Sequence, residues 1–249
     1  MQKISQALIK NFRAKKKLSS KELEDILLHD KDNIDSIDTI ANLMIANGFP
    51  MEQNGDCFFL NTINTLYKDE IFCFVDIETN GSKPDKAQII EIGALKVQNG
   101  KIIDKFESFI YNENVPKHIE KITNINTSQL KNAPQAIEAL KDFKIFLSNS
   151  IFLAHSVVFD YNFISYYLDK FHLGKLENRK ICTLKFAQKM IKSQKYSLSY
   201  FNEYLDLGQD SMHRAYVDAY VSYKLFEQCL KDIPQDIKTT EDLIKFIHN

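Results

Sequence analysis

A chain of 249 residues with 44% hydrophobic, 12% aromatic and 26% charged side chains has the apolar mass for a sizeable core, which excludes an intrinsically disordered protein. No apolar run approaches the ~18 residues of a membrane span, and the first twenty residues are lysine-rich without an apolar centre, so neither membrane insertion nor export is expected and the cytoplasm is the expected compartment. The formal charge of −1 averages over two basic stretches, residues 10–21 with six Lys or Arg and no acid, and residues 161–200 with eight against only Asp169 and Glu177, each of which reads as a solvated helix face or as a phosphate contact.

The first segment reads as helix, helix, hairpin. Residues 20–29 form a helix capped by Ser19 or Ser20, residues 34–47 carry an apolar stripe of Ile37, Ile40, Leu43 and Met44, and residues 49–61 fold about Asn54-Gly55, whose members accept the positive φ of a tight hairpin turn. The pattern resembles a small winged-helix unit, with DNA contact and protein docking both open as roles. Near Tyr67 the character changes. Residues 71–77 are a short apolar run ending in acids, as a buried central strand would be, and residues 89–97 and 102–111 pair as a hairpin about Asn99-Gly100. A helix over 133–147 follows, with Ile137, Leu140, Phe143 and Leu147 on one side, then a short strand over 151–154 and a helix over 158–168. The remainder is helical, over 184–191, 198–205 and 215–230, with a short closing helix near Leu243. Strands early, helices late and a strand between helices predict an α/β domain built on a mixed sheet flanked by helices. We expect three parts: an N-terminal domain at 1–66, a main domain at 67–235 and a C-terminal helix at 236–249. The four cysteines, Cys57, Cys73, Cys182 and Cys229, lie far apart without metal-ligand spacing and read as reduced thiols.

Three places carry chemistry. In Phe74-Val75-Asp76-Ile77-Glu78-Thr79 two carboxylates sit two positions apart at the end of an apolar strand, and period two puts both on one face. Like charges leaving a buried strand repel and lose hydration unless the strand simply ends in water or a cation lies between them, and hard oxygen ligands suit magnesium or manganese. Asp160 follows the short strand in the first turn of the next helix, where an acid also favours the helix dipole. His213 precedes Asp218 by five residues, which on one helix would put them on different faces, so a shared site requires His213 on the loop over 207–212 or at the helix start.

Taken in order, Asp-x-Glu-Thr-x-Gly at 76–81, Ile-Ile-Glu-Ile-Gly-Ala at 89–94, Ala-His-x-x-x-Phe-Asp at 154–160 and His-x-Ala-x-x-Asp-Ala at 213–219 resemble the DnaQ-like exonucleases, the superfamily of the proofreading epsilon subunit of bacterial DNA polymerase III. The resemblance implies a ribonuclease H-like sheet and a tetrad, Asp76, Glu78, Asp160 and Asp218, that binds two divalent cations, Mg2+ or Mn2+. His213 matches the general base. The related subgroup has a tyrosine four residues before the last acid, where this chain has Arg214, so the histidine subtype is implied. Thr79 and Asn80 match positions that meet the terminal nucleotide, Phe159 one that packs near it, and residues 122–125, with Ile122, the pocket under the terminal base. The implied activity is 3′→5′ hydrolysis of single-stranded DNA ends in proofreading or repair, with the polymerase subunit of DNA polymerase III as a protein partner. An RNA-trimming enzyme and a non-catalytic nucleic-acid-binding module are the alternatives. The sequence departs from the pattern at Ser156, commonly Asn, at Asn124, commonly Gly, and at Cys182 and Thr183, where an acid is frequent.

Overall fold

The computed structural model describes residues 2–27, 36–209 and 212–248; the expected helix ends at 28–29 and 34–35 and part of the 207–212 loop lie outside the described residues. The first part contains α1 (Gln2–Lys15), β1 (Lys17–Ser19), α2 (Ser20–Leu27), α3 (Ile37–Ala46), β2 (Met51–Asn54) and β3 (Cys57–Leu60), with an antiparallel sheet in the order β1-β3-β2. Helix α1 and strand β1 extend the expected helix, helix, hairpin order. The lysines of this segment mask an amphipathic helix: Leu8 and Phe12, one turn apart, are fully buried in a core with Leu18, Leu23, Phe49 and Phe58, while Lys10, Arg13 and Lys15 face outward. Ser19 caps α2 reciprocally with Glu22, and the Ser36 side chain caps α3 by accepting from Thr39 N. On α3, Ala41 and Met44 are buried but Leu43 is 53% exposed, so the stripe is narrower than expected. The first hairpin turns one residue later than expected. Asn54 pairs with Cys57, and the positive φ falls on Gly55, followed by Asp56.

After the short α4 (Asn61–Asn64) comes a five-stranded sheet in the order β6-β5-β4-β7-β8, made of β4 (Phe72–Thr79), β5 (Ile89–Gln98), β6 (Lys101–Phe109), β7 (Ile151–Ala154) and β8 (Lys180–Cys182). Strands β4, β5 and β6 are antiparallel; β7 is parallel to β4, and β8 to β7. The β5–β6 hairpin turns on Asn99 and Gly100, both with positive φ, as a two-residue turn between paired Gln98 and Lys101 requires. Helices α7 (Ala136–Leu147) and α8 (Val158–Lys170) cover one face, burying Val75 and Ile77 with Leu140, Phe143 and Phe163. Helices α9 (Thr183–Met190) and α11 (Ala215–Leu230) cover the other, burying Phe72 and Phe74 with Phe186 and Phe226. This is the mixed sheet flanked by helices that the pattern of elements predicts.

Beyond α1, β1 and α4, three more described elements were not expected. Strand β8 is too short to show a period, and α5 (Lys117–Thr123) and α6 (Thr127–Leu130) are single-turn or two-turn pieces set by their ends. Pro116 opens α5, and Asn124 closes it in the left-handed conformation that asparagine tolerates. Helix α7 starts at Ala136 rather than 133, and Ile137 is 44% exposed instead of joining Leu140, Phe143 and Leu147 inside. Helices α10 (Leu198–Tyr204) and α12 (Thr240–His248) complete the chain. Helix α12 buries Leu243, Ile244 and Ile247 beside the sheet and offers the buried Glu241 to the first part, whose Arg13 and Thr62 both donate to it. No described helix is long and apolar enough to cross a membrane, and none of the four cysteines is paired.

Candidate active site and metal centre

Asp76 and Glu78 share the α11 face of β4 with Phe72 and Phe74, because side chains alternate along a strand. Strand β5 lies alongside in a register that sets Asp76 opposite Gly93 and Glu78 opposite Glu91. Gly93 decides what can lie above this face. A Cβ there would come within 2.0 Å of Tyr216 N and 2.3 Å of the Ala215 carbonyl carbon, so only a bare α-carbon lets the first turn of α11 settle on the sheet. Because both obstacles are backbone, Gly93→Ala is expected to destabilise the fold by about 3 kcal/mol or more, and a denaturant midpoint that moves by less than a third of that would show that α11 sits more loosely.

The docked turn brings in Asp218, 7% exposed, whose Oδ1 accepts from His213 N at 3.4 Å. His213 itself stands on the loop before the helix, exposed and with φ +63, the placement a shared site required. From the opposite face of the sheet, the first turn of α8 sends Asp160 over the end of β4, where its Oδ1 accepts from Ile77 N at 3.2 Å. Ligand atoms of Glu78, His213 and Asp218 lie within 4.8 Å of one another. Asp76 feels, after the cost of its own burial, the charges of Asp160, Asp218, Glu78 and Glu91.

Electrostatics follows from that crowding. Burial, then the neighbouring acids, raises the Asp76 carboxyl well above the ordinary carboxylate range. Burial and the charges of Asp218, Glu91 and Asp160 lift Glu78 to about 8, against the pull of Arg214. Asp160 is raised to about 7 by burial despite the hydrogen bonds that oppose it, and Asp218 to about 6 by burial, with His213 pulling downward. Carboxyls this unwilling to ionise beside one another are what a cation would relieve. Four carboxylates and an imidazole make a hard, oxygen-rich donor set, which fits magnesium or manganese.

Glu91 is the functional residue that sequence reasoning missed. Although 6% exposed, it is matched: Oε1 accepts from Arg214 Nε and Nη2 at 3.1 and 2.7 Å, and Oε2 from Ala215 N at 3.0 Å. Its oxygens are therefore committed to fixing the residue after His213 and the first turn of α11, not to ligating an ion. The signal was present as a glutamate inside the apolar run Ile89-Ile90-Glu91-Ile92, matched by an arginine between His213 and Ala215.

The remaining candidates make contacts of their own. Thr79 donates its hydroxyl to Gly81 O at 2.7 Å, and Asn80 accepts from Gln88 N through Oδ1 at 2.7 Å, which ties down the turn after the acids. Phe159, next to Asp160, is 38% exposed and leans on Phe163 at 5.1 Å. Ile122, on α5, is 51% exposed, while Ile119 of the same helix packs on the cluster that contains Ile90. Ser156 occupies φ +75, a conformation that asparagine holds more easily than serine, so the departure noted there carries a backbone cost of about 1 kcal/mol. His155 donates Nε2–H to Tyr196 O at 2.6 Å; its Nδ1 then accepts from the Thr183 hydroxyl, which meets Ser222, and burial lowers its pKa. Thr183 thus joins α9 to α11 at the position where an acid is frequent.

The chain is similar to known proteins. The exonuclease family model RNase_T matches residues 73–226. The chain is 36% identical over 164 residues to the PolC-type DNA polymerase III of Thermotoga petrophila, covering 66% of this chain and only 12% of that protein's length. It is 31% identical over 167 residues to the DNA polymerase III subunit epsilon of Aquifex aeolicus, covering 66% of this chain and 83% of that one. Among solved structures, Exonuclease X in complex with 5′ overhanging duplex DNA shares the fold, with a TM-score of 0.55 at 21% identity, over 71% of this chain and 99% of that one.

Proposed function

Since the chain belongs to this exonuclease family, we propose that it is a metal-dependent 3′→5′ exodeoxyribonuclease, releasing nucleoside 5′-monophosphates from single-stranded DNA ends in proofreading or repair. The observation that carries the reading is the gathering of the buried Asp160 and Asp218 with the half-buried Asp76 and Glu78, from α8, α11 and β4, with His213 beside Glu78 and Asp218. Asp76, Glu78, Asp160 and Asp218 would hold two divalent cations, which when bound supply Lewis acidity for the scissile phosphate and ease deprotonation of the attacking water. A ring nitrogen of His213 takes that proton, while Asp218, bonded to the His213 backbone, keeps the loop in place. Attack at phosphorus breaks the bond to the 3′-oxygen of the penultimate nucleotide, leaving a new 3′-hydroxyl and a free mononucleotide. Thr79, Asn80, Phe159 and Ile122 are assigned to the terminal nucleotide.

The name of the Aquifex relative supports DNA over RNA, and it supports a polymerase subunit as protein partner; the proposed compartment is the cytoplasm. Residues 1–66, 67–235 and 236–249 are proposed as a docking or DNA-holding domain, the nuclease domain and a short C-terminal helix. Digestion of 5′-labelled DNA and RNA oligonucleotides of one sequence, with Mg2+, with Mn2+ and with chelator, tests the reading. Stepwise shortening of DNA that stops with chelator is expected. Faster shortening of RNA would move the substrate class, and no mononucleotide under any metal would overturn the proposal.

A further inference from the structure

Between α10 and α11 the backbone is left-handed at Asp206, Gly208 and His213, with φ of +51, +60 and +63. Glycine accepts that conformation freely; aspartate and histidine do so at a cost and keep it only where their surroundings hold them. His213 is the consequential case, because its ring, though exposed, has to stay within reach of Glu78 and Asp218. On its downstream side the hold is plain: His213 N donates to Asp218 Oδ1 at 3.4 Å, and Arg214, the next residue, is clamped by Glu91. A residue held on one side alone can relax by rotation about the bonds that precede it, so the upstream side needs an anchor of its own.

Helix α10 supplies one. The side-chain amide of Asn202 pairs with the Gln209 backbone in both directions: Nδ2 donates to Gln209 O at 2.8 Å, and Oδ1 accepts from Gln209 N at 3.2 Å. The partners fix the orientation of the amide, since exchanging its oxygen and nitrogen would break both bonds. The Asn202 backbone oxygen also accepts from Leu207 N at 3.0 Å. The helix itself is seated, with Phe201 fully buried against the rings of Tyr196 and Tyr200. Gln209 precedes His213 by four residues, a length that spans at most about 14 Å, so the place of the one limits the reach of the other. Among the described residues, the hydrogen bonds of the Asn202 side chain go to Gln209 alone, and its influence on the chemistry therefore passes through the loop.

We propose that Asn202 is a positioning residue for the reaction: its amide latches the loop at Gln209 and so keeps His213 in the strained conformation from which its ring meets the attacking water. The proposal rests on the nuclease reading for the role of His213 and adds the residue that holds it. Two ordinary hydrogen bonds correspond to roughly tenfold in the population of the held loop.

The test is a double-mutant cycle on the full-length chain, with Mg2+ and a single-stranded DNA oligonucleotide. Asn202→Ala is expected to lower kcat about tenfold, with KM and the metal concentration for half-maximal activity unchanged. Asn202→Asp, equal in shape but setting a carboxylate oxygen against the Gln209 carbonyl, should lose at least as much. In a His213→Ala background Asn202→Ala should cost less than about twofold, because the residue it positions is gone. Independently of activity, amide hydrogen exchange in chelator should quicken about tenfold at both Gln209 and His213 in Asn202→Ala, with Phe201 and Ala219 unchanged as the sign of an intact fold. Equal losses in the two backgrounds, no loss or a loss in KM alone, or exchange that quickens at Gln209 but not at His213 would overturn the proposal. An Asn202→Asp variant as active as the unmodified chain would overturn it too, leaving Asn202 a space-filling role. The nuclease reading is scored separately, by mononucleotide release from the unmodified chain. If none is released that reading fails, while exchange at His213 still decides whether the latch acts.

Discussion

Asp76→Asn is expected to do two opposite things: to cut DNA hydrolysis by about 10³-fold or more, and to make the metal-free protein more stable. The first follows from removing the central member of the carboxylate cluster. The second follows from the sign of the pKa shifts. A carboxyl whose pKa rises on folding adds stability that is complete below its unfolded value and is lost as the pH climbs through its folded value. Glu78, lifted from 4.5 to about 8, with Asp160 at about 7 and Asp218 at about 6, places that loss between roughly pH 5 and pH 8. Asp76 carries such a cost of its own, since burial and the charges of Asp160, Asp218, Glu78 and Glu91 raise its pKa well above the ordinary range, and Asp76→Asn removes it; an effect on the order of 1 kcal/mol would raise the Tm of the metal-free variant by about 2–4 °C. Thermal melts of both proteins in chelator, from pH 5 to 8.5, check it. The unmodified protein should lose stability toward pH 8.5 and recover it with Mg2+ or Mn2+, whereas the variant should decline less and recover less. Equal melts at pH 8.5 would mean that the acids are too well solvated to need an ion.

How far such a site can be read beforehand depends on whether its signal is local. Asp76 and Glu78 announce themselves because a strand's alternation places both on one face, and the Asn99-Gly100 turn because two adjacent residues must both take positive φ. The Asn54-Gly55 turn was displaced by a residue because the pairing of Asn54 with Cys57, not the dipeptide, sets the register. Helix α1 stayed hidden because its six-lysine-and-arginine surroundings obscure the two residues, Leu8 and Phe12, that form its buried face. Asp160 and Asp218 are ambiguous singly, since each stands where an acid suits a helix start, and they gain meaning only from their order along the chain. The Glu91–Arg214 pair joins residues 123 apart, and no local period encodes it. The same holds for Glu241, whose partners Arg13 and Arg179 lie 228 and 62 positions away.

His213→Ala is expected to lower turnover by about 10²–10⁴-fold while leaving the metal-induced rise in Tm nearly intact. The geometry allows His213 two roles, because its ring lies in the cluster with Glu78 and Asp218 and so could serve as an ion ligand as well as a proton acceptor. Hard divalent cations prefer oxygen, and Asp76, Glu78, Asp160 and Asp218 supply enough of it that an exposed imidazole on a loop is the dispensable ligand. As the proton acceptor it has no substitute in the cluster among the described residues. Arg214 stays protonated and is held by Glu91, and Asp218 is occupied by the His213 backbone. Loss of the proton acceptor should therefore appear in kcat with little change in KM or in the metal concentration needed for half-maximal stabilisation. If His213→Ala shifts that metal concentration by tenfold or more, the imidazole belongs to the coordination sphere and the proton must leave by another route.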